Sequence, residues 1–215
     1  MRRNPKLTCL GPPAELLPPS SRSLGHCLLT AATRVRIPLG VRIAGILPAI
    51  RAIMTNPDHE HWMRQALQLA HEAAAQDEIP VGAIIVHHPE NAQPRIIGQG
   101  FNRREAHHDP SAHAEIVAMR QAGQALNHWR LLDCTLYVTL EPCPMCAGAL
   151  VQSRLPRLVY ACRDPKAGAV DSLFQLCTDP RLNHRLEILS GILAEESATL
   201  LREFFAARRS KPPTP

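Results

Sequence analysis

The chain has 215 residues, of which 45% are apolar and 20% charged, and this suits one globular domain with a buried core. Its net charge of +5 is a poor argument for nucleic-acid binding, because residues 1–53 hold eight Lys or Arg against one Glu, leaving −2 for the remainder. The seven cysteines have no even framework of spacings and no stretch resembles a secretory signal, which argues against a secreted disulfide scaffold. There is no apolar run of about 18 residues, which argues against a membrane span. These features predict a cytoplasmic protein.

Residues 1–53 differ in composition from the rest of the chain. They are rich in proline and arginine, contain no Trp, Phe or Tyr, and show no sustained helical or strand period, which predicts disorder. An organelle-targeting segment is one alternative, although the prolines interrupt a long amphipathic helix. Another is a spurious extension upstream of a true start at Met54, which the shift in composition favours. We therefore predict an ordered domain over residues 54–210 and a flexible tail over 211–215.

The ordered part opens with a helix and a hairpin. Asn56 and Pro57 supply an N-cap and a first helical residue, and apolar residues at helical spacing extend this helix to about Ala75. Two β-rich runs, Val81–Val86 and Ile96–Phe101, flank a stretch of turn-forming residues. They predict a hairpin with a long turn.

Helices and single strands then alternate. Ser111 is a predicted N-cap for a helix toward Gln121, and Pro142 is predicted to open another that ends near Gln152. The remaining predicted elements are strands at Cys134–Leu140, Leu158–Ala161 and Leu186–Leu189, and a last helix at Leu193–Arg209. This alternation predicts a mixed sheet between layers of helices.

Two short stretches carry residues typical of metal chemistry, Ala-His-Ala-Glu-Ile at 112–116 and Glu-Pro-Cys-Pro-Met-Cys at 141–146. His113, Cys143 and Cys146 form a ligand set that recurs in catalytic zinc sites, where water takes the fourth position. The two cysteines stand three apart at a predicted helix start, which places both sulfurs on one face and favours thiolates. His113 and Glu115 would face different sides of an ideal helix, so spacing alone does not bring both to one metal.

Each motif alone also has a simpler interpretation. Cys-x-x-Cys occurs in redox pairs and in halves of structural zinc sites. A His followed by Glu at a helix start is commonly a surface pair in which the Glu stabilises the helix N-terminus. The combination of the two motifs favours a catalytic site.

His113-x-Glu115 with Pro142-Cys143-x-x-Cys146 is the signature of zinc nucleobase deaminases. From about His61 to Arg209 the chain resembles the tRNA adenosine deaminase family. The zinc motifs are common to the superfamily, and the later stretches are the specific ones. The matching stretches are Pro80–Ala83, Phe101–Arg103, His108–Ile116, Leu136–Cys143, Met145–Ala149, Arg163–Ala169, Leu182–Arg185 and Gly191–Ala194.

The resemblance implies a homodimeric, cytidine-deaminase-like three-layer α/β/α fold with a mixed five-stranded sheet. It implies hydrolytic deamination of the wobble adenosine of a tRNA to inosine, with one Zn²⁺ per chain making hydroxide available and Glu115 moving protons. Asn102 would contact the target nucleoside, and Asp164 the flanking nucleotides of the anticodon loop. The alternative for both residues is a role in forming turns.

Phe204 and Phe205 lie on the predicted last helix among arginines. Adjacent helical positions face about 100° apart, so one ring is expected in the core and the other partly free to stack on an unpaired base. Phe204 is the predicted RNA contact, although the sequence leaves open which ring faces the RNA, and both rings packing in the core is the alternative. Arginines of this helix, with Arg103, Arg104 and Lys166, could form a local basic patch.

Two other functions compete with this interpretation. A deaminase of a free base or nucleotide, such as cytosine, guanine or deoxycytidylate, would share the zinc pocket. A non-catalytic RNA-binding module with structural zinc would explain the cysteines but not Glu115. The chain also departs from the family pattern in a longer segment at His88–Arg95 and in residues 1–53, and neither touches the predicted site.

Overall fold

A computed structural model describes residues 57–210 of the chain, so the predictions for residues 1–53 and 211–215 lie outside the described residues. No helix in the described range is long and apolar enough to cross a membrane. The helices are α1 (Pro57–Ala75), α2 (Arg104–His107), α3 (Ala114–Leu126), α4 (Pro144–Gln152) and α5 (Ala194–Ser210), with a short 3₁₀ turn at Leu176–Thr178. The strands are β1 (Gly82–His87), β2 (Arg95–Phe101), β3 (Cys134–Leu140), β4 (Arg157–Cys162) and β5 (Glu187–Ser190).

The five strands form one mixed sheet in the order β2-β1-β3-β4-β5, as predicted. The pairs β2–β1 and β1–β3 are antiparallel, whereas β3–β4 and β4–β5 are parallel. Leu140 at the end of β3 pairs with Cys162 at the end of β4. The Gly82 N–H at the start of β1 donates to Thr139 Oγ1 at 3.1 Å. One edge of the sheet therefore gathers the start of β1 and the ends of β3 and β4.

Helices cover both faces of the sheet and bury two apolar clusters. On one face, α3 and α4 pack on the strands through small and aliphatic side chains, such as Ala118 and Leu150. On the other face lie α1, through residues such as Met63 and Ala66, and the segment that leads into α5. These layers confirm the predicted three-layer α/β/α fold.

Two glycines allow the helices to approach the strands closely. A Cβ on Gly82 would lie 2.1 Å from the backbone oxygen of Ala66 in α1, and one on Gly98 would lie 2.2 Å from that of Ala118 in α3. Real Cβ atoms do not come so near a backbone oxygen, so any larger residue would push the helix away. The positions of α1 and α3 over β1 and β2 therefore depend on these glycines.

The structure corrects two predicted helix starts. Ser111 is not an N-cap, because its N–H and hydroxyl both donate to Asp109 Oδ1 in a turn, and α3 begins at Ala114. The next helix, α4, opens at Pro144 rather than Pro142. The short helix α2 and the 3₁₀ turn were not predicted, since elements of four and three residues are too short to show a period.

Candidate metal centre and active site

His113 is the N-cap residue of α3, with an extended backbone at φ −76° and ψ 153°. An N-cap side chain usually accepts a hydrogen bond from the first turn of its helix, but the imidazole makes no such bond. Asn102 serves the helix start instead, because its Oδ1 accepts the Ala114 N–H at 3.0 Å. Its Nδ2 donates to the Ile79 carbonyl at 3.1 Å, which fixes the amide. The His113 ring is thereby left available for a ligand.

Cys143 holds the same position in α4. It is the N-cap, with φ −71° and ψ 172°, and its side chain also makes no capping bond. Pro144 follows as the first helical residue, for which its fixed φ is suited. Cys146 lies in the first turn and is buried. The start of α4 thus presents two sulfurs beside His113.

The three predicted ligands lie together. Cys143 Sγ and Cys146 Sγ are 3.7 and 3.6 Å from His113 Nδ1, and all three ligand atoms lie within 4.8 Å of one another. Tetrahedral zinc, with bonds of about 2.3 Å to sulfur and about 2.0 Å to nitrogen, separates such ligands by about 3.6 Å. Among residues 57–210 this is the one group of three or more His, Cys, Asp or Glu placed to hold a metal ion. Spacing and donor chemistry both fit zinc.

The pKa values of the two thiols, Cys143 and Cys146, are shifted in opposite directions. Hydrogen bonding from the Cys146 thiol, opposed by burial, lowers the pKa of Cys143 to about 4. The same hydrogen bond, together with burial, raises the pKa of Cys146. The hydrogen bond with Cys143 also raises the pKa of His113. Cys143 is therefore a thiolate at neutral pH, the form that binds a metal.

Glu115, in the first turn of α3, lies beside this group. Its side chain is buried, at 4% exposure, and within hydrogen-bonding reach of Cys146. Burial raises the pKa of its carboxyl, against the attraction of a charged His113. The expected conflict between His113 and Glu115 does not arise, because His113 precedes the helix in extended backbone and helical spacing does not apply to it.

Asp164 lies in the loop that follows β4, at the sheet edge where β3 ends. Its Oδ1 accepts the N–H groups of Lys166 at 2.9 Å and Ala167 at 3.2 Å, so it stabilises its own turn. This is the turn-forming role that the sequence left open, and it does not conflict with contacts to a ligand. Asp164 is half-exposed.

Glu141 was not singled out from the sequence, yet it lies at the centre of this edge. It is 2% exposed and accepts hydrogen bonds from the backbone of the loop that carries Asp164. Burial raises the pKa of its carboxyl, but the hydrogen bonds from Ser172, Asp171 and Asp164 outweigh this and lower it. The sequence signal was a Glu directly before the Pro-Cys motif, and its partners are 23 to 31 residues away.

Phe204 and Phe205 lie on α5 with their rings edge to face and 5.5 Å apart. Phe204 is half-buried under the Arg208 guanidinium, whose carbon lies 4.7 Å from the ring centre. Arg208 also pairs with Asp77 at 3.2 Å. Phe205 is the more exposed ring, at 40%. Neither ring belongs to the two buried apolar clusters, so the core position expected for one of them is not observed. Phe205, rather than Phe204, is the freer ring.

Several known proteins resemble this chain in sequence. A model of the MafB19-like deaminase family matches residues 57–209. The tRNA-specific adenosine deaminase of Haemophilus influenzae is 49% identical over 152 residues, which are 71% of this chain and 86% of that relative. The protein of the same name from Bacillus subtilis is 43% identical over 152 residues, 71% of this chain and 91% of the relative.

Solved structures that resemble this chain are also deaminases. A structure from studies of A-to-I editing by tRNA:A34 deaminases at the wobble position of transfer RNA is 42% identical, with a TM-score of 0.61, and the match covers 66% of this chain and 99% of that one. A guanine deaminase from Nitrosomonas europaea is 26% identical, with a TM-score of 0.56, covering 85% and 100%.

The α/β/α fold and the His-Cys-Cys group beside a buried Glu define a deaminase of the cytidine-deaminase-like class. Sequence identity to known relatives decides which deaminase family within that class the chain belongs to. The chain belongs to the tRNA-specific adenosine deaminase family, because relatives of that name are 40 to 49% identical to it over 152 to 154 aligned residues, which are most of their own length.

Proposed function

We propose that the protein hydrolytically deaminates adenosine to inosine at the wobble position of a tRNA. The observation that carries this proposal is the buried Glu115 beside three side chains that fit zinc, in a chain 49% identical to a tRNA-specific adenosine deaminase. Identity to the guanine deaminase structure is lower, at 26%, which favours adenosine in RNA over a free base.

His113, Cys143 and Cys146 would hold one Zn²⁺ per chain. When bound, zinc supplies a water molecule acidic enough to act as a nucleophile near neutral pH. Glu115 would take one proton from that water and deliver it to the ring nitrogen, and would then take the second proton from the oxygen now bonded to the ring carbon and deliver it to the departing ammonia. Its raised pKa suits a group that must both accept and donate protons, and its burial keeps competing water away.

Three residues would hold the RNA. Asn102 keeps a second N–H on Nδ2 beyond the one given to Ile79, and that hydrogen can serve the target nucleoside. Asp164, half-exposed on the loop after β4, would contact the nucleotides that flank the target. A phenylalanine of α5, Phe204 by the sequence prediction, would stack on an unpaired base.

The homodimer and the cytoplasmic location belong to the same proposal. Large apolar side chains are exposed on α4 and on the loop before the 3₁₀ turn, namely Met145 at 39%, Leu173 at 53% and Phe174 at 52%. Exposed apolar groups of this size are typical of protein interfaces. We expect light scattering after size-exclusion chromatography to give twice the mass of the chain.

The test is deamination of an anticodon stem-loop with adenosine at the wobble position, scored as inosine, by purified protein with zinc. A flipped base costs unstacking energy that flanking contacts must offset, so the stem-loop should react far faster than free adenosine, cytosine or guanine. Altering Asp164 should weaken or broaden the choice of flanking nucleotides.

Glu115→Ala is the matched variant for the chemistry. It should lower kcat by at least about 100-fold, while zinc content and stem-loop binding stay largely unchanged. A near-normal rate in this variant would remove the proposed mechanism. Equal turnover of a free base and the stem-loop would overturn the tRNA substrate and leave the deaminase class standing.

A further inference from the structure

The Glu141 carboxylate holds the loop of residues 163–172, which we name the β4 loop. Oε1 accepts three consecutive N–H groups, from Val170 at 3.1 Å, Asp171 at 2.7 Å and Ser172 at 2.8 Å. Oε2 accepts the Asp164 N–H at 3.1 Å and the Ser172 hydroxyl. Both ends of the β4 loop are thus hydrogen-bonded to one buried side chain.

Other contacts show that this anchor leaves the β4 loop little freedom. A Cβ on Gly168 would lie 2.4 Å from the Glu141 carboxyl carbon, so the backbone of the loop packs directly on the carboxylate. The Ala169 N–H donates to the Pro142 carbonyl at 2.8 Å. The buried Tyr160 hydroxyl of β4 donates to Asp171 at 2.5 Å. Glu141 and Pro142 immediately precede Cys143, so the β4 loop is attached to the same backbone that bears a metal ligand.

We propose that Glu141 is a positioning residue for substrate recognition, which fixes Asp164 and the rest of the β4 loop at a set position relative to the metal centre. This inference rests on the proposed function, in which the β4 loop contacts the nucleotides that flank the target base. Flanking contacts offset the unstacking cost of the flipped base fully only if the loop that makes them is already held in place before the RNA binds, since ordering the loop on binding would weaken affinity. A loop hydrogen-bonded to the ligand-bearing segment meets that requirement.

Glu141→Gln is the sharpest variant, because it keeps the shape of the side chain and changes one oxygen to an NH₂ group. A carboxylate accepts on both oxygens, whereas an amide must turn its own N–H groups toward at least one N–H donor of the β4 loop. Glu90→Gln, at an exposed residue of the β1–β2 turn, is the matched control.

We expect Glu141→Gln to raise KM for the stem-loop about ten-fold and to change kcat less than about three-fold, in line with loss of a charged, buried hydrogen bond. It should also accept a wider range of flanking nucleotides and retain zinc. Amide hydrogen exchange gives a second readout that does not need activity. Exchange at Asp164, Val170, Asp171 and Ser172 should become at least about ten-fold faster, while that of Ala147 in α4 stays unchanged.

Unchanged KM and unchanged exchange in the β4 loop would overturn the proposal. Loss of zinc with unchanged exchange in the β4 loop would also overturn it, because Glu141 would then only support the metal site. If Glu141→Gln does not fold, Ser172→Ala removes one donor to the same carboxylate and should raise KM about two-fold; no change there would count against the proposal. If the wild-type protein leaves the stem-loop unreacted, the proposed function fails, and exchange still decides whether Glu141 anchors the β4 loop.

Discussion

Two of the three proposed ligands occupy the same kind of backbone position. His113 and Cys143 are each the N-cap of a helix, extended in backbone and free of capping bonds from their own side chains. Because the starts of α3 and α4 meet at one edge of the sheet, the two side chains come within 3.7 Å. The positive end of α4 stabilises the thiolates that a metal requires. Residues that would ordinarily cap a helix thereby become available as ligands.

The residue-scale prediction concerns the metal. Cys146→Ala removes one of three ligands and should lose both bound zinc and deaminase activity, while the wild-type protein holds about one zinc per chain. Metal analysis of the dialysed proteins checks the zinc content of the variant and of the wild type, and the stem-loop assay checks activity. Cys177→Ala, a buried cysteine outside the group, is the control and should retain zinc. Stoichiometric zinc in a Cys143→Ala, Cys146→Ala double variant would contradict the assignment.

The sequence motifs indicated these ligands but not how the backbone brings them together. The spacing of His113 and Glu115 suggested a conflict because both were placed in a helix, and only the extended backbone of His113 removes it. Glu141 escaped notice for a different reason. Its importance comes from donors 23 to 31 residues later in the chain, and a local pattern carries no sign of such contacts.

At the scale of elements, the strands were predicted to within about a residue, because β-branched and aromatic residues are concentrated in them. Cys134–Leu140 coincides with β3, and Leu158–Ala161 lies within β4. Helix starts were less accurate. Pro142 and Ser111, which were predicted to open helices, stand in the turns that carry the site, two or three residues before the helices begin.

The free energy of unfolding should depend on pH through a histidine at the end of β1. His88 follows β1, and its Nε2 lies 3.1 Å from Thr135 Oγ1 of β3. Burial is the main cause that lowers the pKa of His88 below its usual value, and neighbouring charges act on it too. Those that lower it are Arg157, His87 and His59, and the one that raises it is Asp133.

Because the folded protein binds this proton less readily than the unfolded chain, the unfolded chain takes up more protons as the pH falls below about 6.5. The free energy of unfolding should therefore fall as the pH drops below that value, with no contribution from His88 well above it. His88→Gln should reduce the loss between pH 7.5 and 5.5, measured by denaturant unfolding. An identical loss in wild type and variant would show that His88 is not responsible.

At the scale of the whole molecule, charge is arranged locally rather than as one basic face. Of the basic residues considered for a patch, Arg202 pairs with Glu195 and Arg208 with Asp77. Arg104 and Lys166 are exposed, and Arg104 is close enough to His113 for its charge to oppose the rise in the pKa of His113 that the hydrogen bond with Cys143 causes. Attraction for RNA phosphates is thus expected near the metal centre, in keeping with the −2 balance outside residues 1–53.

Residues 54–210 should suffice for folding and activity. The described fold begins with α1 at Pro57, and the deaminase family model matches from the same residue. We propose that residues 54–210 form the complete zinc deaminase domain. A chain that starts at Met54 should then melt within about 2 °C of the full chain, and its kcat/KM for the stem-loop should change less than about two-fold.

A chain that starts at Leu69 is the control for this truncation. It lacks Met63 and Ala66, both fully buried, and with Ala66 the backbone oxygen that Gly82 approaches most closely. Removing these turns of α1 exposes part of one face of the sheet to water, so this shorter chain should lose cooperative thermal unfolding. A large drop in melting temperature or rate for the chain starting at Met54 would instead assign residues 1–53 a part in the folded enzyme.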